Sequence, residues 1–236
     1  MSGHLVAGTL YELKTLVACW PAIALPLQRW RGRGVVVSER TEIVIESFPR
    51  TASSFAVAAF RIAQEPDQTI IAHHTHMPAQ VLEAAHRGIP ALVLIRDVED
   101  AVISILIWKP HLSVSAALRG YIHFYEPLVP NRSGFVLGTF DEVRTDFGAL
   151  IVQVNERFGT DFRPFEHTPE HLLRIGEEIE ADFGSRADDL ETLERMIPRP
   201  SALREDLKVE LRARYRTEAA DRLRRRAERI FQALVQ

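Results

Sequence analysis

Residues 43–55 read IVIESFPRTASSF and are the most informative stretch of the chain. A short apolar run typical of a strand ends at Pro49, and an alanine-rich apolar run from Phe55 predicts a buried helix. The loop between them supplies one cation and three hydroxyl groups, from Arg50, Thr51, Ser53 and Ser54. A helix N-terminus behind such a loop offers an anion unpaired N–H groups and the positive end of the helix dipole. We therefore predict an anion-binding loop.

The loop has two other interpretations. The ATP-binding pattern GxxxxGK[ST] is absent and the loop holds no lysine, so an anion would not be held in the usual ATP manner. The alternative to anion binding is a helix capped by serine or threonine beside a solvated arginine.

The composition suits one α/β domain with a sizeable core. The chain has 236 residues, 46% of them hydrophobic, and a net charge of −3, which argues against a nucleic-acid binder. A single cysteine, Cys19, excludes an internal disulfide. Because no cleavable leader is recognisable, we expect a cytoplasmic protein.

The N-terminal segment, residues 1–33, is apolar and predicted to be helical. Its run from 16 to 27 contains two prolines and is too short to span a membrane. We expect a helix packed on the domain. The alternative is an interfacial segment making peripheral membrane contact, anchored by Trp20, Trp30, Arg31 and Arg33.

Beyond this segment, apolar runs alternate with helical patterns. Strands are predicted at 34–38, 43–48, 69–73, 91–95 and 134–139, and helices at 53–64, 78–87, 98–107, 112–126 and 141–158. Such alternation indicates a mostly parallel sheet flanked by helices, with ligands at the carboxyl ends of the strands.

Residues 161–200 are acidic and proline-containing, and we expect an irregular covering insertion there. A helical tail follows at 201–235, with an apolar stripe at Leu223, Ala227, Ile230 and Leu234.

A second motif lies in residues 91–106, ALVLIRDVEDAVISIL. An arginine at a strand end can make forked contacts to a phosphate, and Ser104 lies two turns along the following helix, on the side that Arg96 can reach. The alternative is a surface arginine paired with Asp97 or Asp100.

Together, the loop at 48–55 and this segment resemble the 5′- and 3′-phosphate motifs of the sulfotransferases that use 3′-phosphoadenylyl sulfate (PAPS). The resemblance covers residues 34–160.

That resemblance implies a P-loop-like three-layer α/β fold and a set of donor-binding residues. Arg50 would stabilise the leaving bridging oxygen, and Arg96 and Ser104 would bind the 3′-phosphate. Phe55 and Phe140 would contact the adenine, and Arg199 or Arg204 of the tail would replace a missing basic segment of the family. The donor-binding set is Arg50, Thr51, Ala52, Ser53, Ser54, Phe55, Arg96, Ser104, Phe140 and Arg204. Ala52 stands where the family has glycine, so we expect its backbone to avoid positive φ.

A histidine segment, His73–Met77 followed by Pro78, comes after the strand at 69–73. Strand alternation predicts His74 and His76 on one side and His73 on the other. His76 matches the family's catalytic histidine, and a neutral imidazole with a pKa near 6.5 suits a general base. The alternatives are hydrogen-bonded surface histidines or a metal site on His74 and His76, for which no acidic or cysteine ligand lies nearby.

The sequence thus predicts one sulfotransferase-like domain over 1–236, with a nucleotide-binding core at 34–160 and a covering part at 161–236. The predicted activity is sulfuryl transfer from PAPS, without a metal, to a carbohydrate, lipid-linked or small aromatic hydroxyl, with His76 and Arg50 as catalytic residues. The competing hypotheses are a divergent P-loop kinase using ATP and Mg²⁺, and a non-catalytic nucleotide- or partner-binding protein that retains the fold.

Overall fold

The computed structural model describes residues 2–32, 34–197, 201–216 and 220–236. At its centre lies a sheet of four parallel strands in the order β2-β1-β3-β4. The strands are β1 Ile43–Ser47, β2 Ile71–His73, β3 Ala91–Ile95 and β4 Val136–Thr139. The α/β fold with a parallel sheet flanked by helices, predicted from the alternating pattern, is confirmed.

Twelve α-helices and one 3₁₀ helix occur within the described ranges. The helices before the last strand are α1 Ser2–Val17, α2 Pro21–Arg31, α3 Ser53–Gln64, α4 Pro78–Arg87, α5 Val98–Trp108, α6 Val114–Tyr125 and the 3₁₀ helix Glu126–Gly134. Those after it are α7 Phe140–Thr145, α8 Phe147–Phe158, α9 Pro169–Gly184, α10 Leu190–Met196, α11 Ala202–Tyr215 and α12 Asp221–Val235.

The three layers follow from the alternation of side chains along the buried strands. On β1, Val44 faces the larger apolar cluster, built with α4, α5 and α6, whereas Ile43 and Ile45 face the second cluster, built with α3 and α8. Successive strand residues point to opposite faces of a sheet, so a strand apolar at every position needs helices on both sides. That arrangement leaves the strand ends as the places where polar groups can gather.

Two predicted elements differ from the structure near the site. Residues 34–38 form no strand; Val35 makes a single antiparallel bridge to His73. The chain approaches His73 and His74 through Gly34, where a Cβ would lie 2.7 Å from the His74 carbonyl oxygen. The predicted helix 141–158 is divided into α7 and α8 at Asp146, whose φ of −152° breaks the first helix and whose carboxylate caps the second.

The expectation of an irregular segment at 161–200 was wrong in its described part. It contains α9 and α10, because Pro169 occupies the first turn of α9 behind the capping residue Thr168 instead of breaking a helix. Ile175 and Phe183 of α9 are buried. The apolar stripe predicted for the tail faces the core on α12, where Ala227, Ile230 and Leu234 are buried and Leu223 is partly buried.

No single helix in the described ranges is long and apolar enough to span a membrane. Residues Gly8–Val17 and Pro21–Arg31 meet that length and composition only as a pair, bent by 119°.

Candidate active site

A cavity of about 1240 Å³ opens at the carboxyl ends of β1, β2 and β3. Its walls come from the loop after β1, the histidine segment, α5 and α9, with further residues from α1, α2 and α11. Ten of the eleven predicted site residues line it: Arg50, Ala52, Ser53, Ser54, Phe55, His76, Arg96, Ser104, Phe140 and Arg204. The eleventh, Thr51, is fully buried and donates its hydroxyl to the Phe48 carbonyl oxygen at 2.6 Å, so it closes the loop from within.

The loop after β1 has an unusual backbone. Arg50 and Ala52 both have positive φ, of 73° and 67°, and Ala52 is the residue that immediately precedes α3. The expectation that alanine at the family's glycine position would avoid this conformation was therefore wrong. The turn keeps the glycine-like geometry, and the start of α3 at Ser53 faces the cavity as a consequence.

Two arginines from different strand ends meet in the cavity. Arg50 donates from Nε to the Ser104 hydroxyl at 3.2 Å and from Nη1 to the Met196 carbonyl oxygen at 2.6 Å. Arg96 donates from Nη1 to the Arg50 carbonyl oxygen at 3.4 Å and from Nη2 to Asp100 at 3.3 Å. The pairing with Asp100 is the one that the surface interpretation of Arg96 expected, yet the side chain also reaches the loop.

Each guanidinium group has one buried nitrogen, Nη2 of Arg50 and Nε of Arg96, without a hydrogen-bond partner in the described part of the chain. A third cation, Arg204, is buried nearby and donates to the Arg195 carbonyl oxygen at 2.8 Å. Burial, together with the charges of Arg204 and Arg96, lowers the pKa of Arg50 to about 9, and burial and Arg96 lower that of Arg204. An anion bound between these groups would remove their mutual repulsion. Arg199, the other predicted tail arginine, lies outside the described residues.

The two predicted aromatic residues occupy different surroundings. The Phe140 ring lies under the Arg96 guanidinium, 4.1 Å from ring centroid to carbon, and so holds that cation flat against the cavity wall. Phe55 stacks on the His167 ring at 6.0 Å and also lines the cavity. Asp141 and Glu142 lie in the first turn of α7, and Glu142 completes a capping box with Thr139.

The three histidines lie side by side, contrary to the prediction from strand alternation. Strand β2 ends at His73, and His74 and His76 have positive φ values of 57° and 52°, so the period of two stops there. The two Nδ1 atoms of His73 and His74 are 2.5 Å apart, and the His74 and His76 rings are 5.9 Å apart.

The hydrogen-bond partners fix the donor and acceptor roles in a series of bonds that runs from Arg61 to Ser54 in the loop after β1. The Arg61 guanidinium can only donate, so Nε2 of His73 accepts from it at 2.8 Å and the proton of neutral His73 is on Nδ1. His73 then donates to Nδ1 of His74, and His74 donates from Nε2 to the Ser54 hydroxyl at 3.3 Å. The Ser54 hydroxyl, having accepted this bond, has its own proton to donate to a group in the cavity.

The proton of His76 is placed just as clearly. Nδ1 lies 2.9 Å from the Ser47 carbonyl oxygen, which only accepts, so the neutral ring carries its proton there and leaves Nε2 as a base. Burial, reinforced by the neighbouring His74, lowers the pKa of His76 to about 3. The ordinary value near 6.5 that was expected for this base therefore does not hold in the free protein, and the imidazole is neutral throughout the physiological range.

A residue that the sequence analysis missed holds the histidine segment in place. Glu46, fully buried near the end of β1, accepts from the main-chain nitrogens of Thr75 and His76 at 2.7 and 3.0 Å. Three further donors reach the same carboxylate, from Ser47, the Thr75 hydroxyl and Gln80. Burial outweighs these bonds and raises the pKa of Glu46 to about 7. The sequence feature that could have identified Glu46 is its position as the only carboxylate in the apolar run IVIES.

Among the described residues, no group of three His, Cys, Asp or Glu side chains is placed to share a metal ion. No family model and no curated protein matches the chain. Among solved structures, the chain is similar to the crystal structure of mouse sulfotransferase SULT7A1 complexed with PAP. The identity is 13%, the TM-score is 0.40, and the match covers 80% of this chain and 89% of the other. This is a distant likeness in fold.

Proposed function

We propose that the protein is a sulfotransferase that moves a sulfuryl group from PAPS to an acceptor hydroxyl. The observation that carries the proposal is a pair of buried guanidinium nitrogens, on Arg50 and Arg96, that have no hydrogen-bond partner among the described residues. Both side chains line the same cavity. Unsatisfied buried donors are costly, and an anionic ligand is the partner that would satisfy both. A neutral imidazole base, His76, lines the same cavity.

The residues present fit a ligand with two phosphate groups. Arg96, Ser104 and Arg204 would hold the phosphate that does not react. The amides at the start of α3, with the hydroxyls of Ser53 and Ser54, would hold the one that carries the sulfuryl group. Phe140 and Phe55 offer ring surfaces to the base.

The chemistry assigned to the chain's own groups is positioning, proton removal and charge stabilisation. As the acceptor oxygen bonds to sulfur, its proton passes to Nε2 of His76, and the bond from sulfur to the bridging phosphate oxygen breaks. The Arg50 guanidinium stabilises the negative charge that grows on that oxygen. An oxygen already bonded to a sulfuryl group is strongly acidic, so even a base whose pKa is low in the free protein can take the proton.

Ligand binding tests the proposal before any acceptor is known. PAP, the product 3′,5′-bisphosphate, should raise the unfolding temperature without added metal, and at one hundred times its Kd it should add about 2.7 kcal/mol of stability. ATP with Mg²⁺ serves as the comparison, and Arg96→Ala should reduce the PAP shift. A shift with ATP and Mg²⁺ but none with PAP would favour the kinase.

Binding of PAP alone would leave a non-catalytic nucleotide-binding protein open. A transfer screen with labelled PAPS against carbohydrate, lipid-linked and aromatic hydroxyl acceptors separates the two, because only the enzyme releases labelled product in a reaction that His76→Asn prevents.

A further inference from the structure

The first two helices expose an apolar face that nothing in the described chain covers. Seven large apolar side chains within one stretch of 21 residues are exposed: Leu10, Leu13, Leu16, Trp20, Ile23, Leu27 and Trp30. Trp20 is 61% exposed and Trp30 is 84% exposed. We call these seven residues the α1–α2 apolar face. A monomeric protein rarely leaves so many large apolar groups together in water, so this surface has an occupant.

The pattern on α1 is the reverse of the pattern of a helix that faces water. Leu10, Leu13 and Leu16 are exposed, while the polar residues Glu12 and Thr15 contact α6. Glu12 pairs with Arg119 of α6 at 2.5 Å, and the Thr15 hydroxyl lies 3.0 Å from Nδ1 of His123. A helix with water outside normally carries its polar residues there. The exposed side of α1 therefore contacts an apolar medium when this surface is bound.

The charges beside this face are basic. Between residues 8 and 32 the basic residues are Lys14, Arg29 and Arg31, and the single acidic residue, Glu12, has its carboxylate bonded to Arg119. Arg29 and Arg31 flank the exposed Trp30 at the end of α2. Tryptophan beside arginine is the composition that suits the boundary between lipid headgroups and acyl chains.

We infer that the α1–α2 apolar face docks in the plane of an anionic lipid bilayer. The apolar side chains would enter the acyl boundary, and Arg29 and Arg31 would lie among negatively charged headgroups. A second copy of the chain is the less favoured occupant, because a two-fold interface would bring the same basic residues against each other without an acidic partner.

The docking face adjoins the cavity. Thr15 of α1, Ala18 just after it, and Gln28 with Gly32 at the end of α2 line the cavity that holds His76. Docking through the outer side of these helices therefore places one wall of the cavity at the bilayer surface. What this position means for the acceptor rests on the proposed function. The docking itself does not depend on that function.

Vesicle flotation of the full chain tests the docking without donor or acceptor. The protein should float with phosphatidylcholine vesicles that contain phosphatidylglycerol. The double variant Ile23→Ser/Trp30→Ser should lose at least about tenfold in partitioning, since each large apolar side chain withdrawn from water contributes on that order. The matched control is Leu190→Ser/Val209→Ser, two residues that are as exposed but lie on α10 and α11. Arg31→Glu should weaken binding roughly fivefold or more, and only to the anionic vesicles.

Two results would overturn the inference. One is equal flotation of the wild type, the α1–α2 variant and the control. The other is a wild-type dimer in light scattering that the α1–α2 variant splits, because the face would then belong to a second copy. A PAP thermal shift on the same variants, expected to be unchanged, keeps loss of docking distinct from loss of folding and from failure of the proposed function.

Discussion

The arginine side and the histidine side of the cavity are buried alike, yet burial leaves them in opposite charge states. On the arginine side, burial lowers the pKa of Arg50 from 12.5 to about 9, which keeps the guanidinium charged at neutral pH. On the histidine side, it lowers the pKa of His76 from 6.5 to about 3, which keeps the imidazole uncharged. Burial therefore leaves a cation on one side and a neutral base on the other, because arginine and histidine have different intrinsic pKa values.

The two sides are also supported differently. Arg50 and Arg96 extend from loops that follow adjacent strands, and each contacts the other's segment. The histidine segment is instead held by hydrogen bonds to one buried carboxylate, that of Glu46, and by the β-bridge between Val35 and His73. Beyond the pairing of β2 with β1, the main chain of the histidine segment thus depends on one side chain, which a single substitution can remove.

The largest effect is expected from removing the base on the histidine side. His76→Asn keeps a donor for the Ser47 carbonyl oxygen and tolerates positive φ, but it lacks Nε2. Transfer of labelled sulfate should fall about 100- to 10,000-fold in kcat, while PAP affinity stays within about twofold. His86→Ala, an exposed histidine of α4, is the control. Wild-type activity in His76→Asn would remove His76 from the mechanism.

The next largest effect separates the two arginines. Arg50→Ala should lower kcat about 100- to 1,000-fold, more than it weakens PAP binding, because charge on the bridging oxygen grows towards the transition state. Arg96→Ala should mainly weaken PAP binding, about 10- to 100-fold, because its proposed contact is to the phosphate that does not react. Calorimetry and steady-state rates measure both, with exposed Arg40→Ala as control. Equal losses of affinity alone in both variants contradict a catalytic role for Arg50.

A stability measurement tests the support of the histidine side. The folded pKa of Glu46 is raised from 4.5 to about 7, so the folded state prefers the protonated carboxyl. Its contribution to stability is complete below pH 4.5 and is lost as the pH rises through about 7. In urea unfolding, the stability of the wild type relative to Glu46→Gln should fall by about 3 kcal/mol between these limits. Exposed Glu39→Gln is the control, and a constant difference across the range contradicts the prediction.

A smaller effect is expected at the ring beneath Arg96. Phe140→Leu keeps an apolar side chain but removes the aromatic face, so PAP affinity should fall about two- to fivefold with kcat unchanged. Phe158→Leu, which removes the ring beside Arg157 on α8, is the matched control. An unchanged Kd in Phe140→Leu means that the ring does not position Arg96.

The smallest effect is expected when acid is added to the histidine side. Burial lowers the pKa of His73, His74 and His76 to about 3, 4 and 3, so these rings should stay neutral on acidification. Their NMR signals should not move between about pH 8 and pH 5, whereas in denaturant they should titrate near 6.5. Titration midpoints near pH 6.5 in the folded protein would contradict the prediction that these histidines stay neutral.

The sequence predicted what depends on pattern and missed what depends on packing. The strands β1 and β3 and the helices α3 and α4 follow from apolar periodicity, and Arg50 and Arg96 from their places after strands. The contact between His73 and His74 could not be predicted, because it requires the strand to end at His73. The same holds for the carboxylate of Glu46, whose partners lie about thirty residues along the chain. The sequence does not reveal α9, because a proline interrupts a helical pattern unless it lies in the first turn, as Pro169 does.

Four residues without the freedom of glycine hold left-handed backbone in this cavity: Arg50, Ala52, His74 and His76. Each such residue costs on the order of 1 kcal/mol, a sizeable share of the few kcal/mol by which a domain is stable. Glycine would relieve the cost, but at three of these positions it would delete the cation or an imidazole. Mutational tolerance is therefore unequal within the site: Ala52 is the position where the chain can gain stability without losing a functional group, and the others retain their strain with their function.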